Sequence, residues 1–215
     1  MLIGYLVLSR PHPVPRDALI DVLWGAAPPA AAGGALSVLL SKLRAATGAE
    51  LITGRSQLAV SLPEPTFVDV EVAIASAHTA ESAVAAGDWR RAWSASLGAV
   101  FVARRPFLPE ATGSWSDSWR RRLAEALVRG LESYATACLA LGGSEMPGAE
   151  RAARELVEVA PFRETGYLLL MRALDARGNP AEAIAIYERL RALLRDELGV
   201  NPDRAVQEAY LRLLG

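Results

Sequence analysis

Ser37, Ser41, Lys42 and Arg44 fall on one segment at helical intervals, and Arg55 follows in the polar turn Gly54-Arg-Ser-Gln57. Hydroxyl and cationic side chains raised from one face of a helix can reach base edges and phosphates in a nucleic-acid groove. The same residues on an ordinary solvated face would do no chemistry, so both readings stand at this level. Two tryptophan pairs, Trp89 with Trp93 and Trp115 with Trp119, are each spaced i, i+4. Such pairs either pack between helices or line a concave aromatic pocket for a small molecule or peptide. Arg120-Arg121-Arg122 follows, as a solvated run or as a contact for phosphate or an acidic partner. Little supports catalysis. His12 lies between prolines, and His78 has no Asp or Ser at a spacing that suggests a triad. No Cys/His cluster has metal-ligand spacing, and no glycine-rich phosphate loop is present. The expectation is a protein without catalytic residues, metal or cofactor.

The elements that must position these residues are mostly helical. The composition, 52% hydrophobic and 22% charged with a net charge of −1, suits a globular chain and disfavours one that coats nucleic acid. Charge is slightly asymmetric, positive by one over residues 1–65 and negative by two over the remainder. No apolar run is long enough for a membrane span, and Met1–Ser9 lacks the basic flank and cleavage site of a signal peptide. The single cysteine, Cys138, permits no intrachain disulfide, which suits the cytoplasm, and reads as a small buried hydrophobe.

Arg16–Trp24 is a short amphipathic helix broken by Gly25–Pro29. A second helix runs from about Ala31 to Thr47, burying Leu36, Leu40 and Leu43 and ending at Gly48. The alternations Leu51–Thr53 and Leu58–Leu62 around the glycine-containing turn predict a β-hairpin. Helix, turn, helix, hairpin is the order of a winged helix-turn-helix, whose second helix enters the major groove while the wing touches backbone. Pro63-Glu-Pro65 is a stiff linker. Beyond it, helices are expected at about 68–86, 89–102, 115–141, 149–159, 164–177, 181–198 and 202–214, with glycines at the corners. Their recurrence resembles tetratricopeptide packing. The expected organisation is thus two domains: a winged helix-turn-helix over 1–65 and a tetratricopeptide-like bundle over 66–215.

Asp17–Gly25, Leu36 with Lys42-Leu-Arg44, Phe107-Leu-Pro109, Pro161–Glu164, Met171–Leu174 and Glu197–Pro202 closely resemble, in order and spacing, the SARP (antibiotic regulatory protein) transcriptional activators. The resemblance covers almost the whole chain. It implies a winged helix followed by a bacterial transcriptional activator domain. It also implies a cytoplasmic, pathway-specific activator of secondary-metabolite genes that binds direct repeats of double-stranded DNA as a homodimer and contacts RNA polymerase.

Two departures from the family pattern follow. The resemblance implies a small antiparallel sheet ahead of the first helix, which has no counterpart in this chain; the winged helix is expected to be truncated, with Leu2, Ile3, Leu6 and Leu8 needing other cover. The outward face of the second helix also carries Gly34, Val38, Ser41, Lys42 and Ala45 with Ser37 beside it, whereas at the positions of Gly33, Gly34, Ser37 and Ala45 the resemblance implies long polar or basic residues. DNA binding weaker than the family norm is therefore expected. The alternative is a member of the fold that has lost DNA readout and binds a protein or small molecule; an enzyme recruited onto the fold is a third reading.

Overall fold

Leu6, Val14, Leu19, Leu36, Leu40, Ile52 and Leu58 meet in one buried cluster that organises the N-terminal part of the chain. The computed structural model describes residues 1–10 and 12–215. It resolves into two units, Met1–Phe67 with Pro106–Arg120, and Val68–Arg105 with Arg121–Gly215. The first contains α1 (Leu2–Ser9), β1 (Val14–Pro15), α2 (Arg16–Trp24), α3 (Ala32–Thr47), β2 (Ile52–Thr53) and β3 (Gln57–Val60). The three strands form an antiparallel sheet in the order β1-β3-β2, with Val14 opposite Leu58 and Ile52 opposite Val60.

Three sequence-based expectations change here. The strands are shorter than expected, and β1 adds a third that two residues could not announce. Leu6 is buried, and Leu2 and Ile3 pack against the same cluster, so α1 finds cover within this unit. Finally, Pro106–Arg120 belongs to the first unit although it lies far along the chain.

The second unit is helical: α4 (Asp69–Ala85), α5 (Trp89–Ala103), most of α6 (Ser114–Leu141), α7 (Met146–Val159), α8 (Glu164–Ala176), α9 (Pro180–Leu198) and α10 (Arg204–Leu214). Ala73, Ala77, Ala80 and Ala83 on α4 are buried, as are Ala92, Ser96, Ala99 and Ala103 on α5, so small side chains let this pair approach closely. Pairs α7–α8 and α8–α9 continue the stack, and α10 closes on both α8 and α9. Leu156, Tyr167, Leu170, Met171, Leu174, Leu190 and Val206 form its core, each burial contributing roughly 2 kcal/mol.

Two helix ends differ from expectation for local reasons. The Asp203 carboxylate accepts the Val206 N–H at 2.8 Å, so Asp203 is the N-cap and Pro202 lies outside α10. Helix α7 starts at Met146 because Pro147 is tolerated in a first turn. Ion pairs cross the stack: Glu150 accepts from Arg154 and Arg177, and Arg154 also donates to Glu182 at 2.5 Å. Among the described residues, no helix is long and apolar enough to cross a membrane.

Candidate nucleic-acid interface

Helix α3 buries Leu36 and Leu40, half-buries Leu43, and leaves its opposite face in solvent. On that face Gly33, Gly34, Ser37, Val38, Ser41, Lys42 and Ala45 are all exposed. The site residues expected from sequence share this surface and the adjoining hairpin, but they divide by what holds them. Ser41, Lys42 and Arg55 are exposed and have no hydrogen-bond or ion-pair partner among the described residues. Ser37 is engaged: its hydroxyl donates to the Gly33 carbonyl at 2.8 Å and accepts from Arg16 Nη2 at 2.7 Å. Arg44 turns toward the hairpin, donating from Nε to the Ile52 carbonyl at 2.9 Å and from Nη2 to the Gly54 carbonyl at 2.7 Å.

Arg16 is the residue that sequence reasoning passed over. Its Nη2 also donates to the Gly33 carbonyl at 2.9 Å, and its backbone N–H donates to the Ser56 carbonyl at 3.3 Å. One residue at the start of α2 therefore ties the first turn of α3 to the hairpin. Its only sequence signal was its place at the head of an amphipathic helix. The hairpin turn itself requires glycine at 54, where φ is +88° and a Cβ would lie 1.9 Å from the Gln57 carbonyl oxygen. The result is a helix whose exposed face mixes Ser37, Ser41 and Lys42 with Gly33, Gly34, Val38 and Ala45, flanked by a hydrogen-bonded loop bearing Arg55. Electrostatically, Arg16 and Arg44 keep their charge on neutral acceptors, and Lys42 and Arg55 stand exposed to meet an anion.

Residues 68–214 match the bacterial transcriptional activator domain. The chain belongs to the SARP-type regulators that carry this domain. It is similar to regulatory protein AfsR of Streptomyces griseus (31% identity over 213 residues, 99% of this chain and 22% of that protein). It is also similar to AfsR of Streptomyces coelicolor (33% over 214 residues, 99% and 21%). Transcriptional regulatory protein EmbR of Mycobacterium tuberculosis is 29% identical over 222 residues, 98% of this chain and 56% of EmbR. A solved structure of M. tuberculosis EmbR, in complex with a low-affinity phosphopeptide, superposes with a TM-score of 0.81 at 25% identity, covering 99% of this chain and 57% of that one. The chain thus spans about a fifth of the AfsR proteins and just over half of EmbR.

The tryptophan pairs of this SARP-type chain belong to different units, Trp115 and Trp119 to the first and Trp89 and Trp93 to the second. Trp115 and Trp119 each pack against Phe107, at 5.8 and 6.2 Å between centroids, and Trp115 meets Tyr5 edge-on at 5.1 Å. Trp93 packs against Tyr134 and donates its indole N–H to Glu145 at 2.9 Å, while Trp89 is half-buried at the start of α5. Trp93, Trp115 and Trp119 thus each pack against another aromatic ring, and Trp93 also lines a cavity of about 480 Å³ with Arg90 and Glu145. Arg120 is likewise not part of a free basic run. It donates to the carbonyls of Phe107, Leu108 and Ala111 and to the Asp117 carboxylate, fixing the loop that carries the Phe107-Leu-Pro109 motif. His78 is exposed on α4. Among the described residues no three His, Cys, Asp or Glu side chains come together as a metal-holding group.

Proposed function

We propose that this chain is a DNA-binding module of a transcriptional activator, with α3 in the major groove and the β2–β3 hairpin against the backbone. The observation that carries the reading is the double tether of the hairpin: Arg16 and Arg44 hold it beside α3, so Arg55 and Lys42 move as one body. A groove-reading helix needs a wing at fixed distance to set its register on phosphates. Lys42 reaches the groove, Ser41 supplies a short hydroxyl contact, Arg55 holds phosphate, and Ser37 contributes by holding Arg16 against the first turn of α3. Arg44 acts mainly by positioning the wing. The likeness to AfsR and EmbR, both regulators by name, supports the same class. Homodimer formation on direct repeats, contact with RNA polymerase and control of a secondary-metabolite cluster complete the proposal. Mobility-shift binding to upstream fragments of the native locus tests it. Wild type should bind, and Lys42→Ala with Arg55→Ala should lose most of that affinity; unchanged binding in the double variant would overturn the residue assignment.

One observation favours a second reading. Val38 is 56% exposed, Leu39 38%, and nothing lies within 4 Å of where Gly33 or Gly34 would carry a Cβ. A bare, partly apolar face suits a protein partner better than DNA. The absence of duplex affinity at low salt, together with a protein that protects α3, would select this reading.

A further inference from the structure

Within the second unit, α5 and α7 each turn a two-turn stripe toward a groove of about 420 Å³. Leu97, Val100, Phe101 and Arg104 supply one stripe at i, i+3, i+4 and i+7. Gly148, Arg151, Ala152 and Glu155 supply the other at the same spacing, with Leu131 and Tyr134 of α6 at the base. Gly148 permits the fit: a Cβ there would lie 3.1 Å from the Tyr134 hydroxyl and 3.3 Å from Cys138 Sγ. The Arg104 guanidinium closes one end by a two-pronged bond to Glu155, at 2.8 and 2.6 Å.

The upper wall is apolar and open. Phe101 is 64% exposed and Leu97 39%, one helical turn apart. Exposed aromatic side chains scattered singly need no explanation, but a pair aligned on a groove marks a contact surface. The charge around it that is not taken up in an ion pair has one sign. Arg105 stacks over the Phe101 ring at 4.3 Å from its centroid, and Arg151 is exposed on the facing helix. Neither has a carboxylate partner among the described residues, whereas Arg104 is neutralised by Glu155.

We propose that this groove docks an acidic amphipathic helix from another protein, with an apolar side chain set against Phe101 and Leu97 and carboxylates toward Arg105 and Arg151. Matched stripes two turns long suit a helical ligand, whose anchors recur at i, i+3 or i+4 and i+7. The unpaired cations select against basic segments as much as they attract acidic ones. The proposal is independent of DNA binding by the first unit.

The probe is a displayed library of short helix-forming peptides, with acidic, neutral and basic flanks around the same apolar positions, selected on the full 215-residue chain. Acidic members should be enriched. Their affinity, measured by titration calorimetry on the synthesised peptides, should fall by about tenfold in Phe101→Ala and in Arg151→Ala and more in the double variant. Both side chains are exposed, so circular dichroism should report unchanged helicity. Absence of enrichment, enrichment of neutral or basic peptides, or equal binding by the double variant would overturn the proposal. So would enriched sequences matching this chain with self-association lost in Phe101→Ala, which would make a second copy the occupant.

Discussion

Arg44 of α3 donates its Nε–H to the carbonyl oxygen of Ile52 at 2.9 Å, and this bond fixes the wing to the helix beside it. With the second bond to Gly54 it occupies the inward edge of the guanidinium fork. Arg44→Met should loosen the hairpin and cost about 1–2 kcal/mol, the scale of a charge-assisted hydrogen bond discounted for partial exposure. Arg44→Lys should recover little, because an ammonium cannot reproduce the fork geometry. Urea denaturation of the three proteins checks this, with equal midpoints for Lys and wild type as the contrary result.

The exposed face of α3 offers a gain-of-function test. No atom lies within 4 Å of a Cβ built on Gly34. Gly34→Ala should therefore stabilise the protein by up to about 1 kcal/mol through helix propensity. Gly34→Arg should in addition tighten duplex binding and steepen its salt dependence by about one counterion. Thermal melts and binding isotherms on the two variants separate the effects; an arginine that leaves binding untouched would place α3 away from DNA.

Acid should weaken the second unit through one identified pair. Arg129 Nε donates to Glu81 Oε1 at 2.6 Å, and that hydrogen bond is the main reason the Glu81 carboxyl lies below the usual glutamate range. A carboxyl with a depressed folded-state pKa stabilises the fold above its unfolded value and loses that contribution as pH falls through the folded value. The stability difference between wild type and Glu81→Gln should accordingly be present near about pH 7 and shrink toward about pH 3. Melting temperatures across that range check it, and a pH-independent difference would contradict the assignment. Both side chains are partly exposed, so the effect should be modest and salt-sensitive.

Cys138 should be chemically silent in the native protein. Its thiol is fully buried, and desolvation pushes its pKa up to about 11. Thiolate is the reactive form, so Ellman's reagent at mildly alkaline pH should label it only on unfolding. Rapid labelling of the folded chain would show that α6 and α7 open.

What the sequence made legible was mostly helical punctuation. Pro180 and Gly199 bracket α9, and the apolar spacing of Leu168–Leu174 gives α8, because both signals are local. The stripe of Leu36, Leu40 and Leu43 likewise placed the exposed face of α3 correctly. Contacts between distant segments were invisible. Arg120 sits in an arginine run, yet besides Asp117 its partners are the carbonyls of Phe107, Leu108 and Ala111, in a loop where Leu108 adopts a positive φ of 42°. Arg16 and Ser37 meet across 21 positions with no periodic signature. The tryptophan pairs looked alike in sequence, and only the fold separates them into two units.

The most direct test of DNA reading by this unit is a salt titration of binding to a duplex from upstream of the native locus. Log affinity should fall linearly with log salt, and Lys42→Ala and Arg55→Ala should each reduce the slope by about one. No measurable affinity at low salt, or slopes unchanged in both variants, would contradict the assignment of α3 and its hairpin as the DNA-reading surface.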